Sequence, residues 1–307
     1  MKTIFTHSLK TLAVGLALAA PAHSALATGL AHTYVSGTGN DSNAGDRTTP
    51  CATFQAALAN TLPGGVITAL DAGDYGPVNI TQAVTIDGSG TQASIVTEST
   101  TAISINAAAS DTIILRGLAI TNVPNGDPCN GVELDSGNMI VDGCKISGYL
   151  GPCNGIYVHH DGNTVVINTS VTGCGEGVFK DRPGAGLLSL RNVTLQGNGL
   201  GLDAEGTQTD ISHSQITQNS GYGVYAYRGT LSVSGCMISG NGTGVYSDDG
   251  SVVRLINNDI LNNTTGIFII DASNGGTPGI VSSTGSNRKA GNATPGGVSP
   301  GKVIVQQ

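Results

Sequence analysis

Short stretches in which apolar and polar residues alternate recur at a nearly constant distance along the middle of the chain. Each begins with a glycine followed by valine, isoleucine or leucine. The seven glycines lie 24, 22, 24, 22, 21 and 22 residues apart: Gly131, Gly155, Gly177, Gly201, Gly223, Gly244 and Gly266. Alternation over a few residues is typical of β-strands, and this block lacks helical spacing. A fixed period of this length indicates stacked supersecondary units.

A column of asparagines marks the turns between these units. Asn198, Asn219, Asn241 and Asn263 each lie three or four residues before the next glycine, and Cys174 occupies that position one unit earlier. An asparagine side chain can hydrogen-bond to the neighbouring turn, so it suits a stacked bend. A unit of about 22 residues cannot enclose a core alone, but coils stacked at ~4.8 Å can. The pattern therefore predicts an all-β parallel solenoid.

The rest of the chain divides around this block. Residues 1–27 are predicted to be a signal peptide, and residues 28–62 an entry segment whose helix, N-capped by Thr53, covers the open end of the solenoid. Residues 63–270 would form about ten coils. Residues 271–307 are a Gly/Ser/Pro-rich tail, in which residues 280–292 read as an irregular last coil and residues 303–305 as a closing strand.

The opening of the chain resembles a known superfamily. The residues that carry the resemblance are 34–41, 50–58, 63–67, 73–76 and 84–88, together with the Asn-x-x-Gly-[Val/Ile] repeat of the coils. They are similar to secreted right-handed parallel β-helix proteins of the pectate-lyase-like superfamily. The resemblance implies the right-handed β-helix fold, but that superfamily includes lyases, hydrolases, esterases, epimerases and adhesins. The Arg-x-Pro-x-x-Arg motif of pectate lyases and the polygalacturonase motifs are absent from this sequence.

Composition and charge narrow the function classes. The chain of 307 residues has no tryptophan, 4% aromatic residues and 46 glycines, which suits a narrow interior better than a large globular core. Removing the predicted signal, which holds two lysines and no acid, lowers the formal net charge from −8 to −10. Such a protein is a poor candidate for nucleic-acid binding. We expect a secreted or periplasmic monomer that is cut near Ala27 and not inserted in a membrane.

Export would permit disulfides. Cys129 and Cys153 each lie two residues before a repeat glycine, so they should stack on adjacent coils and form a disulfide. Cys144 and Cys236 occupy equivalent positions four coils apart, too far to pair, and are interpreted as small inward-facing residues.

Two outward columns hold the candidate chemistry. If the residue after each glycine points inward, the second and fourth residues after it point outward. The second-residue column is Glu133, Tyr157, Phe179, Asp203, Tyr225, Tyr246 and Phe268, and the fourth-residue column is Asp135, His159, Asp181, Glu205, Tyr227, Asp248 and Ile270. Aromatic rings flanked by acids suit the apolar faces and hydroxyl groups of a sugar chain.

These columns suggest separate roles. The candidate catalytic residues are His159, Asp181 and Glu205 as acid/base groups, with Lys180 or Arg182 neutralising charge. Alternation points Lys180 inward unless residues 181–183 bend. The candidate substrate-binding residues are Tyr157, Asp203, Tyr225, Tyr227 and Tyr246, and a calcium ion would be held by Asp135, Asp181 and Glu205.

Two functions remain open at this point. The first is binding, with lyase-like or hydrolase-like cleavage, of an acidic polysaccharide or cell-surface glycan. The second is a non-catalytic extracellular module, because polar side chains outside a solenoid are also expected from solvation alone.

Overall fold

The computed structural model describes residues 29–123, 130–181, 184, 186–270 and 277–300. Over these residues the chain winds in coils, and strands of successive coils pair in parallel to form three long sheets of 11, 10 and 9 strands. The predicted all-β parallel solenoid is confirmed. The prediction of about ten coils is slightly high, because the 9-stranded sheet limits the number of coils that contribute to all three sheets.

The strands are numbered β1 to β30 in chain order. Sheet 1 contains β1 (Leu30–Val35), β2 (Thr61–Ala69), β5 (Val84–Asp87), β8 (Thr112–Arg116), β11 (Asn138–Asp142), β14 (Thr164–Ile167), β17 (Leu187–Arg191), β20 (Gln208–Ser212), β23 (Thr230–Ser234), β26 (Val252–Ile256) and β29 (Ile280–Ser283). Sheet 2 contains β3 (Gly73–Asp74), β6 (Ala93–Thr97), β9 (Ala119–Asn122), β12 (Lys145–Ser147), β15 (Ser170–Thr172), β18 (Thr194–Gln196), β21 (Gln215–Thr217), β24 (Met237–Ser239), β27 (Asp259–Leu261) and β30 (Arg288–Ala290). Sheet 3 contains β4 (Val78–Ile80), β7 (Ile103–Asn106), β10 (Val132–Ser136), β13 (Asn154–Val158), β16 (Glu176–Lys180), β19 (Leu200–Glu205), β22 (Tyr222–Tyr227), β25 (Thr243–Asp248) and β28 (Thr265–Ile269).

The repeated glycines lie at the points of sheet 3 where the backbones of successive coils approach each other most closely. A Cβ at Gly177 would lie 2.5 Å from the carbonyl oxygen of Gly201, and a Cβ at Gly201 would lie 2.4 Å from that of Gly223. Such contacts leave no room for any side chain, so each coil needs glycine at this point. The apolar residues after the glycines are buried, as the alternation predicts: Val132, Ile156, Val178, Leu202, Val224, Val245 and Ile267.

The asparagine column forms a continuous buried ladder between sheets 2 and 3. The backbone N–H of Asn198 donates to Oδ1 of Asn219 at 3.0 Å, and the N–H of Asn219 donates to Oδ1 of Asn241 at 3.0 Å. The ladder continues through Asn263, and the N–H of Cys174 begins it by donating to Oδ1 of Asn198 at 2.9 Å. These side chains satisfy turn N–H groups that would otherwise be buried without a partner.

The N-terminal helix is slightly different from the predicted cap. Helix α1 spans Phe54–Ala59, with the Thr53 side chain accepting a hydrogen bond from the N–H of Ala56. It packs against β4 at the end of sheet 3, where Gln55 Oε1 accepts from the N–H of Asn79 at 2.8 Å. Strand β1 covers the end of sheet 1 by pairing with β2. Helix and strand therefore share the covering of this end. No helix among the described residues is long and apolar enough to cross a membrane.

Several sequence predictions concern residues at the margins of this description. Residues 1–27, residues 303–305 and Cys129 lie outside the described residues, so the signal peptide, the closing strand and the Cys129–Cys153 disulfide stay predictions. Cys144 and Cys236 are buried in the interior, as predicted. Strands β29 and β30 extend sheets 1 and 2 beyond the regular repeats.

Candidate functional site

The outer face of sheet 3 aligns the predicted site residues from different coils. Parallel pairing places Tyr157 between Glu133 and Phe179, and it places Asp203 between Phe179 and Tyr225. The column continues through Tyr246 to Phe268. Glu205, Tyr227 and Asp248 are aligned in the same way in the fourth-residue column. Strand spacing therefore puts a new row of side chains every ~4.8 Å along this face.

A third outward column was missed by the alternation argument. It consists of the residues that precede the glycines: Asn154, Glu176, Leu200, Tyr222, Thr243 and Thr265. Strict alternation would turn them inward. The Tyr222 ring nevertheless stacks on the outward Tyr225 ring, with centroids 5.4 Å apart, and lies 4.5 Å from the Tyr246 ring. Alternation therefore does not hold across the glycine, and Glu176 joins the face.

Aromatic rings occupy the face on both sides of its centre. Towards the N-terminus, Tyr157 and Phe179 stack with centroids 5.3 Å apart and an interplanar angle of 18°. Towards the C-terminus, the Tyr222, Tyr225 and Tyr246 rings form one cluster, which Phe268 extends at 5.0 Å from Tyr246. Rings arranged in this way offer flat apolar surface with polar edges.

Tyr157, His159 and Asp181 form a compact polar cluster. The Tyr157 hydroxyl donates to Asp181 Oδ2 at 2.7 Å and lies 2.7 Å from Nδ1 of His159. That Nδ1 is 2.9 Å from both oxygens of Asp181. A carboxylate in this position fixes the orientation of the imidazole ring. All three groups are partly exposed, so they can reach a ligand lying on the face.

The acid centre lies between the two aromatic groups and consists of Glu176, Asp203 and Glu205. Asp203 is only 5% exposed. Its Oδ1 atom and the Oε2 atom of Glu176 are buried without a hydrogen-bond partner. Burial, followed by the charges of Glu176 and Glu205, raises the pKa of Asp203 to about 8. Burial and the charge of Glu205 raise the pKa of Glu176 to about 7. Partial burial and the charge of Asp181 raise the pKa of Glu205.

The raised pKa of Asp203 predicts a stability change in Asp203→Asn. The pKa of the Asp203 carboxyl is 3.8 in the unfolded chain and about 8 in the folded protein. The folded protein therefore loses stability as the pH rises through that interval, because the buried carboxyl ionises less readily than the same group in the unfolded chain. The neutral amide avoids this cost. Thermal unfolding should therefore show the variant more stable than the native protein by at least about 2 kcal/mol at about pH 9, with little difference at about pH 4. An equal effect at both pH values would contradict the assignment.

A pocket at the N-terminal side of the face adds polar groups beside the aromatic pair. It has a volume of about 410 Å³ and is lined by Thr101, Asn130, Glu133, Pro152, Asn154, Tyr157 and Phe179. Glu133 Oε2 accepts from Thr101 Oγ1 at 3.2 Å and from Asn130 Nδ2 at 3.1 Å. Oriented carboxylate and amide groups next to a ring are suited to sugar hydroxyls.

Two predicted roles are changed by the structure. Lys180 does not lie on the outer face: it is fully buried, and its Nζ donates to the carbonyl of His160 at 2.9 Å, because its position in β16 points inward. The proposed calcium ligands Asp135, Asp181 and Glu205 do not form a set, since no group of three possible ligands is close enough within the described residues. Asp135 lies at the surface, where partial desolvation and the charge of the nearby Glu133 raise the pKa of its carboxyl group. Arg182 lies outside the described residues.

Comparison with known proteins supports the architecture. Residues 177–292 match the family model described as a right handed beta helix region. Pectate lyase Pel9A superposes with a TM-score of 0.53 at 14% identity, covering 76% of this chain and 79% of that structure. The A-module of the mannuronan C-5 epimerase AlgE4 of Azotobacter vinelandii gives a TM-score of 0.51 at 14% identity, covering 80% of this chain and 91% of that structure. The A-module of AlgE6 from the same organism gives a TM-score of 0.50 at 18% identity, covering 75% of this chain and 77% of that structure. No curated protein sequence matches the chain. The chain therefore has a right-handed parallel β-helix fold, which it shares with these structures.

Proposed function

We propose that this protein binds a polysaccharide chain along the outer face of sheet 3 and cleaves it near the acid centre. The observation that carries the proposal is the order of groups on one face: the Tyr157–Phe179 pair, the acid centre, and the cluster of Tyr222, Tyr225 and Tyr246. A long open face with aromatic rings on both sides of titratable groups suits an extended sugar polymer. The names of the pectate lyase and epimerase structures that share the fold agree with a polysaccharide ligand.

The polar cluster beside the acid centre is suited to acid/base chemistry. Asp181 holds the His159 ring from one side, while the Tyr157 hydroxyl lies against the same ring nitrogen. Histidine is a common general acid or base in enzymes, and these contacts fix the orientation of the ring. Cleavage would need one group to take a proton from the sugar or from water and another to protonate the leaving oxygen. His159 and Tyr157 supply such groups on one coil, and Glu205 supplies a carboxyl in the next coil but one.

We further propose that the protein is exported. This rests on the signal-like composition of residues 1–27, with basic residues before a short apolar run. Export would bring the protein into contact with extracellular or cell-surface polysaccharides.

The binding proposal is tested by Tyr246→Ala. Tyr246 contacts Tyr222, Tyr225 and Phe268, and its removal interrupts the aromatic cluster. On a panel of purified oligosaccharides, calorimetry should show about tenfold weaker binding of whichever chain the native protein binds. The control is Tyr34→Ala, which removes a tyrosine of β1 in sheet 1 that stacks on His32, away from sheet 3. Equal affinities of the two variants for the chain would overturn the placement of the ligand on sheet 3.

A further inference from the structure

The charge of the outer face is opposite to what an acidic polysaccharide requires. The carboxyl groups of the described residues on this face are Glu133, Asp135, Glu176, Asp181, Asp203, Glu205 and Asp248. The nearby cationic groups of the described part of the chain are already engaged. His159 contacts Asp181, Arg228 pairs with Asp249, and Lys180 points into the interior. A uronate chain would therefore meet like charge along most of this face.

The acid centre also has unused acceptors. Asp203 Oδ1 and Glu176 Oε2 are buried oxygens without a partner, although buried polar atoms in folded proteins are almost always hydrogen-bonded. Asp203 is more than nine-tenths buried, while Glu176 and Glu205 beside it are partly exposed. These two partly exposed acids give a ligand access to the centre. Desolvated carboxyls of this kind favour a cation or a hydrogen-bond donor.

The surroundings of these oxygens distinguish an organic cation from a metal ion. Strand pairing places Phe179 and Tyr225 on either side of Asp203. Calcium requires six to eight oxygen ligands, but no three acidic, histidine or cysteine side chains of the described ranges are placed so that they could hold one metal ion together. An ammonium group needs fewer acceptors and is also attracted by the faces of aromatic rings.

We propose that the acid centre binds the ammonium group of an amino sugar, so that the polysaccharide recognised by this face carries free amines. This inference rests on the proposed function, because it assigns the substrate class of the same face. Glu176 and Asp203 accept hydrogen bonds from the ammonium group, Phe179 and Tyr225 contact it or its ring, and the aromatic groups on both sides hold the adjoining sugars. The mutual repulsion of the carboxyls is relieved by the bound positive charge.

Proton release accompanies such binding. Without ligand, burial and neighbouring acids raise the pKa of Asp203 to about 8 and that of Glu176 to about 7. A bound cation favours the ionised carboxyls and returns their pKa towards the ordinary range. Binding measured at about pH 6 should therefore release protons, and the heat of binding should vary with the ionisation enthalpy of the buffer.

The experiment compares three hexasaccharides by calorimetry: fully deacetylated chitosan, its N-acetylated counterpart, and oligogalacturonate with calcium or with chelator. The deacetylated chain should bind at least about tenfold more tightly than the acetylated chain and should release protons. Asp203→Asn and Glu176→Gln should each reduce that preference, whereas Asp210→Asn on the outside of sheet 1 and Glu98→Gln should retain it.

The outcomes separate this inference from the proposed function. The ammonium assignment is overturned if the acetylated and deacetylated chains bind equally tightly. If Tyr246→Ala weakens the binding of both chains in that case, polysaccharide binding on this face still holds. Tightest binding of oligogalacturonate in the presence of calcium also overturns the ammonium assignment, in favour of a bridging metal ion. Absence of binding by every oligosaccharide overturns both.

Discussion

Asp181→Asn is expected to reduce turnover of the bound polysaccharide by about 10²- to 10⁴-fold, with binding changed much less. Asp181 contacts Nδ1 of His159 with both oxygens and accepts from the Tyr157 hydroxyl. The amide preserves the shape of the side chain, but it replaces one accepting oxygen by an NH₂ group and so disrupts the contacts with Nδ1 of His159 and the Tyr157 hydroxyl. The His159 ring would then lose the carboxylate that orients it for proton transfer, while the aromatic groups would bind sugars as before.

The measurement is release of new chain ends, together with absorbance near 235 nm for an eliminative product, from the oligosaccharide that binds. Asp210→Asn is the matched control because it makes the same substitution on the outside of sheet 1. Undiminished turnover in Asp181→Asn would remove this cluster from the mechanism. If the native protein binds the chain tightly but releases no new ends from it, the protein is a non-catalytic binding module.

Asn219→Ala is expected to lower the free energy of unfolding by about 3 kcal/mol or more. The Asn219 side chain accepts from the N–H of Asn198 at 3.0 Å, and its Nδ2 donates to the carbonyl of Leu195 at 3.2 Å and to Oδ1 of Asn241 at 2.9 Å. Truncation leaves the N–H of Asn198 and the carbonyl of Leu195 without these partners in a buried place. Each such group costs about 1–3 kcal/mol.

Denaturant unfolding of the purified variants measures this effect. Asn106→Ala makes the same substitution at an exposed position of β7 and should change stability by less than about 0.5 kcal/mol. A similarly small change for Asn219→Ala would mean that the ladder orders the turns without contributing to stability. A large loss would show that coil stacking depends on these side chains as well as on the strands.

The composition of the candidate site was only partly predictable. The columns of Tyr157, Asp203 and Tyr225 followed from the period and strand alternation, and strand pairing confirms their alignment. Glu176 was missed because alternation does not hold across the glycine that follows it. Its position one residue before Gly177 was visible in the repeat, but only the stacking of the equivalent Tyr222 shows that this column faces outward.

Burial decided the roles that the columns left open. Lys180 and Asp181 are adjacent in the sequence, yet Lys180 at the end of β16 is fully buried, while Asp181, which directly follows the strand, is partly exposed. Asp203 and Asp135 are both acids in outward columns. Asp203 is desolvated between neighbouring coils, while Asp135 is exposed. An acid's column does not reveal which side chains from adjacent coils cover it.

The sequence by itself determined the coil period, the inward apolar residues, the asparagine ladder and the wall on which the aromatic and acidic residues align. This was possible because parallel stacking keeps the same register from coil to coil. Residues that are one period apart in the sequence therefore lie directly above one another in the fold. Only the tertiary structure decided that Glu176 and Asp203 have buried oxygens without partners, that Lys180 points inward and that Asp135, Asp181 and Glu205 do not form a set of metal ligands. Those properties depend on distances and solvent access among side chains of several coils, which the period of a single coil does not specify.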